Sequence, residues 1–157
     1  MFGKKTLLTL VLLAALGLVA ATWLDAIAAE NPLFGKWQIT DAAAAPWAGK
    51  QRGQSAETRK LLNLQISFAA KTMKSNYPTL NCTDAAFEIS SDPPDVLFQG
   101  MLSEPNQESV AQSLGFPRGD VPSVEVNCSS GDIPFHFRDA NTVLFALNDV
   151  IYTLTRR

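Results

Sequence analysis

Residues 123–154, SVEVNCSSGDIPFHFRDANTVLFALNDVIYTL, decide the fold. Val124, Val126 and Cys128 alternate with Glu125 and Asn127, and Phe135 and Phe137 alternate with His136 and Arg138. A period of two is that of a strand with one face toward a core. Ser129-Ser130-Gly131-Asp132 and Asp139-Ala140-Asn141 have turn composition. A two-residue turn at Asn148-Asp149 pairs Leu147 with Val150, Phe145 with Tyr152 and Val143 with Leu154, a wholly apolar cross-strand face that fixes the register. His136 and Arg138 then stand opposite the Phe135/Phe137 face, on the solvent side.

Working back from there, helical spacing is strongest from about Pro105 to Leu114. Ser103 is a plausible cap, and Val110, Ala111 and Leu114 share a face. Gly115 ends the helix, and Phe116 is placed to fold back on its last turn. Ala85 to Ile89 and Asp95 to Met101 read as strands around a Ser90–Pro94 turn. Leu62 to Phe68 alternates strictly and reads as a strand. Ala69 to Lys71 makes a turn and Thr72 to Ser75 a return. Good helix formers in 55–75 keep a helix open there. Asn31 to Thr40 reads as the first strand, with Leu33, Trp37 and Ile39 inward, and Asp41 to Gln54 as an irregular excursion. Short strands with tight turns predict a mainly β fold, a small antiparallel β-barrel of about eight strands with one short α-helix insertion.

At the start of the chain, Lys4 and Lys5 precede an uncharged run from Thr6 to Leu24 and then Ala26-Ile27-Ala28-Ala29. This is the layout of a signal peptide over residues 1–29, with an uncleaved membrane anchor as the alternative. The barrel domain is then 30–157, periplasmic or secreted. Removing two lysines and Asp25 takes the formal charge from −2 to −3. The basic residues are scattered, so neither a nucleic acid nor an anionic membrane finds a positive patch. Membrane contact is expected only if the N-terminal segment stays attached. In an exported chain, Cys82 and Cys128 read as one disulfide.

No catalytic, cofactor or metal motif stands out. His136 is the sole histidine, the glycines are dispersed, and the aspartates sit in turns. Trp47, in the excursion, reads either as an exposed aromatic that anchors a partner or as a lid over one barrel end. Trp47, His136 and Arg138 are the candidate contacts for a ligand or partner.

Gly35-Lys36-Trp37 in the first strand and Arg156-Arg157 after the last resemble the calycin superfamily of lipocalins and fatty-acid-binding proteins. In that superfamily a Gly-x-Trp is closed by an Arg near the chain end lying on the indole face. The resemblance implies that Gly35, Trp37 and Arg156, or its neighbour Arg157, close the barrel rather than touch ligand. Val126 to Gly131, Phe135-His136-Phe137, Val143 and Tyr152-Thr153-Leu154 also resemble the opening hairpins of the bacterial c-type lysozyme inhibitors. The inhibitory Ser-Gly-x-x-Tyr and Tyr-x-x-x-Thr-Lys-Gly segments of that family do not follow here. The expectation is therefore an exported, non-enzymatic barrel binding a protein or a small apolar ligand. The alternatives are an inhibitor of a secreted hydrolase such as lysozyme, and an enzyme centred on His136.

Overall fold

The computed structural model describes residues 30–49, 56–102 and 105–157. The expected signal segment and Ser103 lie outside them. Its strands are β1 (Gly35–Ala44), β2 (Gln65–Ala69), β3 (Thr72–Lys74), β4 (Ala86–Asp92), β5 (Val121–Cys128), β6 (Gly131–Asp139), β7 (Thr142–Leu147) and β8 (Val150–Arg156). The helices are α1 (Ala56–Leu61), α2 (Leu97–Gly100) and α3 (Gln107–Ser113), with a short 3-10 turn at Pro78–Leu80. Among the described residues, no helix is long and apolar enough to cross a membrane.

All eight strands form one sheet in the order β3-β2-β1-β8-β7-β6-β5-β4, and every neighbouring pair is antiparallel. Each strand lies beside its sequence neighbours, and β1 pairs with β8, so the sheet is a cyclic meander opened between β3 and β4. It curls into a half-barrel. At the opening, Met73 and Cys82 exchange two backbone hydrogen bonds (2.7 and 3.0 Å), and Ala85 donates to the Lys71 carbonyl. Beside this seam Cys82 is bonded to Cys128, at the end of β5.

The hairpin register is the one the apolar pairs dictate: Leu147 faces Val150, Phe145 faces Tyr152 and Val143 faces Leu154. Asn148 (φ 50°) and Asp149 (φ 59°) are both left-handed, the geometry a two-residue turn needs to follow the strand twist, and Asn and Asp tolerate it best. The concave face is filled by side chains. Phe68, Phe135, Phe145 and Tyr152 form a continuous aromatic row with centroids 5.2–5.3 Å apart, and Leu33, Trp37, Ile39, Ile66, Met73 and Leu154 are buried around it.

Three expectations change. β1 runs on to Ala44 rather than stopping at Thr40, because β8 supplies hydrogen-bond partners as far as Val150; a register shift between Ile39 and Asp41 absorbs the twist. The 55–75 stretch is a helix and then a strand. α1 ends at Leu61, Asn63 turns left-handed (φ 68°) and donates to the Ile39 carbonyl, and only then does β2 begin. The strand expected at 95–101 is instead the turn α2. Leu97 and Phe98 are both buried against the convex face, and a strand would have sent one of two consecutive side chains outward. Phe98 and Gln99 take left-handed φ values of 53° and 60° to achieve this.

α3 closes as its sequence predicts. Phe116 N–H bonds the Ala111 carbonyl and Gly115 N–H that of Gln112, with Gly115 at φ 87°. α2 and α3 lay a second apolar layer on the convex face, where Leu97, Phe98, Leu102, Ala111 and Phe116 cover Val121, Leu144 and Ile151. Where α2 and α3 lie, the strands β5 to β8 are therefore covered on both faces.

Candidate functional site

The open end of the barrel is organised by Arg156. Its guanidinium lies over the Trp37 ring, 4.2 Å from the centroid. Nη1 donates to the Phe34 carbonyl (2.9 Å), Nη2 to the Pro32 carbonyl, and Nε reaches the Ala140 carbonyl at 3.5 Å. Trp37 Nε1 donates to the Leu33 carbonyl at 2.7 Å. Gly35, at φ 119°, leaves room for this fork: a Cβ there would meet Nη1 at 3.2 Å. One planar cation thus ties together the N-terminal segment, the β6–β7 turn and β8. Arg157 is exposed and bonds Gln38 instead.

Two of the residues held by Arg156, Pro32 and Ala140, line a pocket of about 310 Å³. Pro117, Pro122 and Phe137 supply the rest of its apolar wall, and Arg138 and Asp139 stand beside them. The Asp139 carboxyl is held below its usual pKa, chiefly by the Asn141 backbone N–H, so it is ionised at neutral pH. Arg138 lies across Gly115, where a Cβ would sit 2.6 Å from its Cδ, and it bonds the Leu114 carbonyl at 3.4 Å. A larger cleft, about 610 Å³, runs along Asn63, Gln65, Lys74, Asn76 and Asn81, and its walls are mostly polar and open to water. The pocket at the barrel mouth is the apolar concavity a small ligand prefers.

His136 is not on a solvent face. It points away from Phe135 and Phe137 as expected, but α2 and α3 cover that side and leave it 1% exposed. Phe98 and Phe116 pack edge-on against the ring, with centroids at 4.8 and 6.3 Å. The Phe98 N–H donates to Nε2 (2.9 Å), so Nε2 is an acceptor and the ring proton is on Nδ1, which meets Ser123 Oγ at 2.7 Å. The Ser123 hydroxyl donates onward to the Val121 carbonyl. Burial lowers the His136 pKa to about 4 against a weaker opposing pull from Asp92, whose carboxylate is 3.9 Å from Nδ1.

Ser123, His136 and Asp92 therefore resemble a nucleophilic triad only by residue type. Serine and aspartate share one ring nitrogen, the other is occupied by a backbone N–H, and Ser123 is 2% exposed. In a working triad the base takes the serine proton on the nitrogen opposite the carboxylate. Here the nitrogen facing Ser123 already carries a proton. Ser123 and His136 are a buried, hydrogen-bonded pair beneath α2 and α3, with the partly exposed Asp92 at its edge.

Trp47 is half-buried rather than displayed. Its ring packs 5.5 Å from Phe98, and Ala45 and Ala48 join the same apolar layer. Of the three candidate contacts, Arg138 alone borders the pocket, and Trp47 and His136 belong to the layer beneath α2 and α3. Sequence reasoning passed over Pro32, Pro117 and Pro122. They are scattered in sequence, and only the Arg156 network and the α3–β5 loop bring them together. Cys82, Asp84 and Cys128 approach one another within 4.8 Å, but the sulfurs are bonded to each other and offer no thiolate. No family model, curated protein or solved structure matches this chain.

Proposed function

We propose that residues 30–157 form an exported, non-enzymatic binding domain that takes one small apolar group at the barrel mouth. The observation that carries this reading is the apolar wall of Pro32, Pro117, Pro122 and Phe137, braced from behind by Arg156. The aromatic row inside the half-barrel occupies the space a larger ligand would need, so the reading places binding at the mouth. About 310 Å³ suits a single ring or a short aliphatic chain. The Cys82–Cys128 disulfide supports an oxidising compartment, and with the N-terminal signal pattern it favours the periplasm or the medium.

The test is an NMR titration of the purified protein with benzoate, phenylacetate and short-chain aliphatic carboxylates. Saturable shifts confined to Phe137, Arg138, Ala140 and their neighbours support the reading, as does their loss in Ala140→Phe, which puts a ring into the pocket. Shifts spread over the sheet, or none, reject it.

A further inference from the structure

β4 is one end of the sheet, and two prolines fix which way its backbone groups point. Pro134 stands opposite Glu125 and Pro122 opposite Ser91. Neither proline can donate, so both belong in non-hydrogen-bonded pairs. In an antiparallel sheet a residue unbonded to one neighbour is bonded to the other, and pairs alternate along the strand. Both prolines give the same parity. Glu88 and Ser90 bond β5, and the N–H and C=O groups of Phe87, Ile89 and Ser91 point away from the sheet. Among the described residues, no hydrogen bond reaches those groups.

Natural sheets blunt such an edge by shortness, proline, lysine, a bulge or a covering segment. The other end strand, β3, is three residues long, carries Lys74 and is engaged through the Met73–Cys82 bridge. β4 is seven residues long, pairs with β5 without a register shift, and contains no lysine, arginine or proline. Its concave-side residues Phe87 and Ile89 face the opening of the half-barrel. Phe87 packs on Phe34 (5.1 Å), but Ile89 is left 55% exposed.

The other side of the strand is acidic. Glu88 lies directly opposite Glu125, an in-register like-charge pair that weakens a sheet unless a cation joins it. Burial first, and then Asp132, Glu88 and Asp92, raise the Glu125 pKa, so these carboxylates feel one another.

We propose that the free edge of β4 docks an extended, cationic segment of a partner protein. The segment adds to the sheet as one more strand, with basic side chains over Glu88 and Asp92 and apolar side chains beside Ile89. Because Glu88 and Asp92 are four positions apart on one face, the matching segment carries Lys or Arg at i and i+4 with apolar residues between at i+1 and i+3. A second copy of this chain is the poorer occupant, since its β4 brings two more carboxylates and no cation. The proposal does not rest on the mouth pocket.

The test is binding of a blocked peptide containing Lys-Val-Ser-Val-Lys to the purified protein, with amide exchange read by NMR. Saturable binding and at least tenfold slower exchange at Phe87, Ile89 and Ser91 are expected. Ile89→Pro removes an outward N–H that β5 does not use, so it should abolish binding with little change in melting temperature. Glu88→Lys, which leaves the backbone edge intact, should weaken the peptide at least tenfold and favour its glutamate counterpart. Absence of protection, undiminished binding to both variants, or a dimer in which these amides are already protected would overturn the proposal.

Discussion

Arg156 lies over Trp37 and also donates to carbonyls of Pro32, Phe34 and Ala140, so one side chain joins the first strand, the last strand and the turn beside the pocket. Arg156→Ala should lower stability by about 2 kcal/mol, from the lost cation–π contact and the carbonyls left without a donor. Arg156→Lys should recover only part, because a point charge cannot span three carbonyls. Arg157→Ala should cost well under half as much. Urea denaturation of the three variants checks the order.

Acidification acts through His136. Its folded pKa of about 4 lies below the ordinary 6.5, so protons bind the unfolded chain preferentially. Stability from this group is complete above pH 6.5 and is lost as the pH falls toward 4, in total about 3 kcal/mol. Protonation also turns Nε2 into a donor facing the Phe98 N–H. His136→Gln, which keeps a neutral acceptor, should flatten the stability curve across that interval. Denaturant midpoints at closely spaced pH values decide it, and an equal slope in both proteins would count against the assignment.

Gly115 combines a left-handed backbone with the Arg138 side chain pressed against its α-carbon. Gly115→Ala should destabilise by about 1 kcal/mol for the φ value alone, with a further loss as Arg138 is pushed aside. Gly119, also left-handed but with open space at its α-carbon, should show only the first effect. Melting temperatures of the two alanine variants separate backbone from contact.

Trp47 packs with Phe98 in the convex layer. Trp47→Ala should therefore lower stability by about 2 kcal/mol, roughly half the cost of deleting a fully buried aromatic. Pocket binding should survive. Loss of binding without loss of stability would instead restore Trp47 as a partner anchor.

Breaking the disulfide should cost about 4 kcal/mol in the loop-entropy account, since Cys82 and Cys128 are 46 positions apart. The seam at Met73 and Cys82 should loosen first, and faster amide exchange at those two residues on reduction would report it.

The meander from β5 to β8 was legible because each hairpin is decided locally. Phe145 has one apolar partner at the right offset, and Asn148-Asp149 suits only one kind of turn. The convex layer was not legible. Alternation places His136 away from the core face, but periodicity cannot tell solvent from a second layer supplied by α2 and α3, far away in sequence. Leu97 and Phe98 carry no local signal of their left-handed turn, because it is imposed by what they cover. The 62–68 alternation concealed Asn63, whose readiness to turn left-handed ends α1. The candidate closing residues Gly35, Trp37 and Arg156 do meet, whereas the pocket depends on three prolines from separate segments, and nothing in their spacing links them.

The pairing of β1 with β8 has a consequence in time. Trp37 lies opposite Arg156, so β1 waits for β8, and the hydrogen bonds that join the two parts of the sheet link residues more than a hundred positions apart. A nascent chain can assemble the β5 to β8 hairpins one after another, but β1 joins them only once β8 has emerged. Until β8 is available, β1, β2 and β3 have no strand to link them to the later hairpins, so three of the eight strands wait on a single partner.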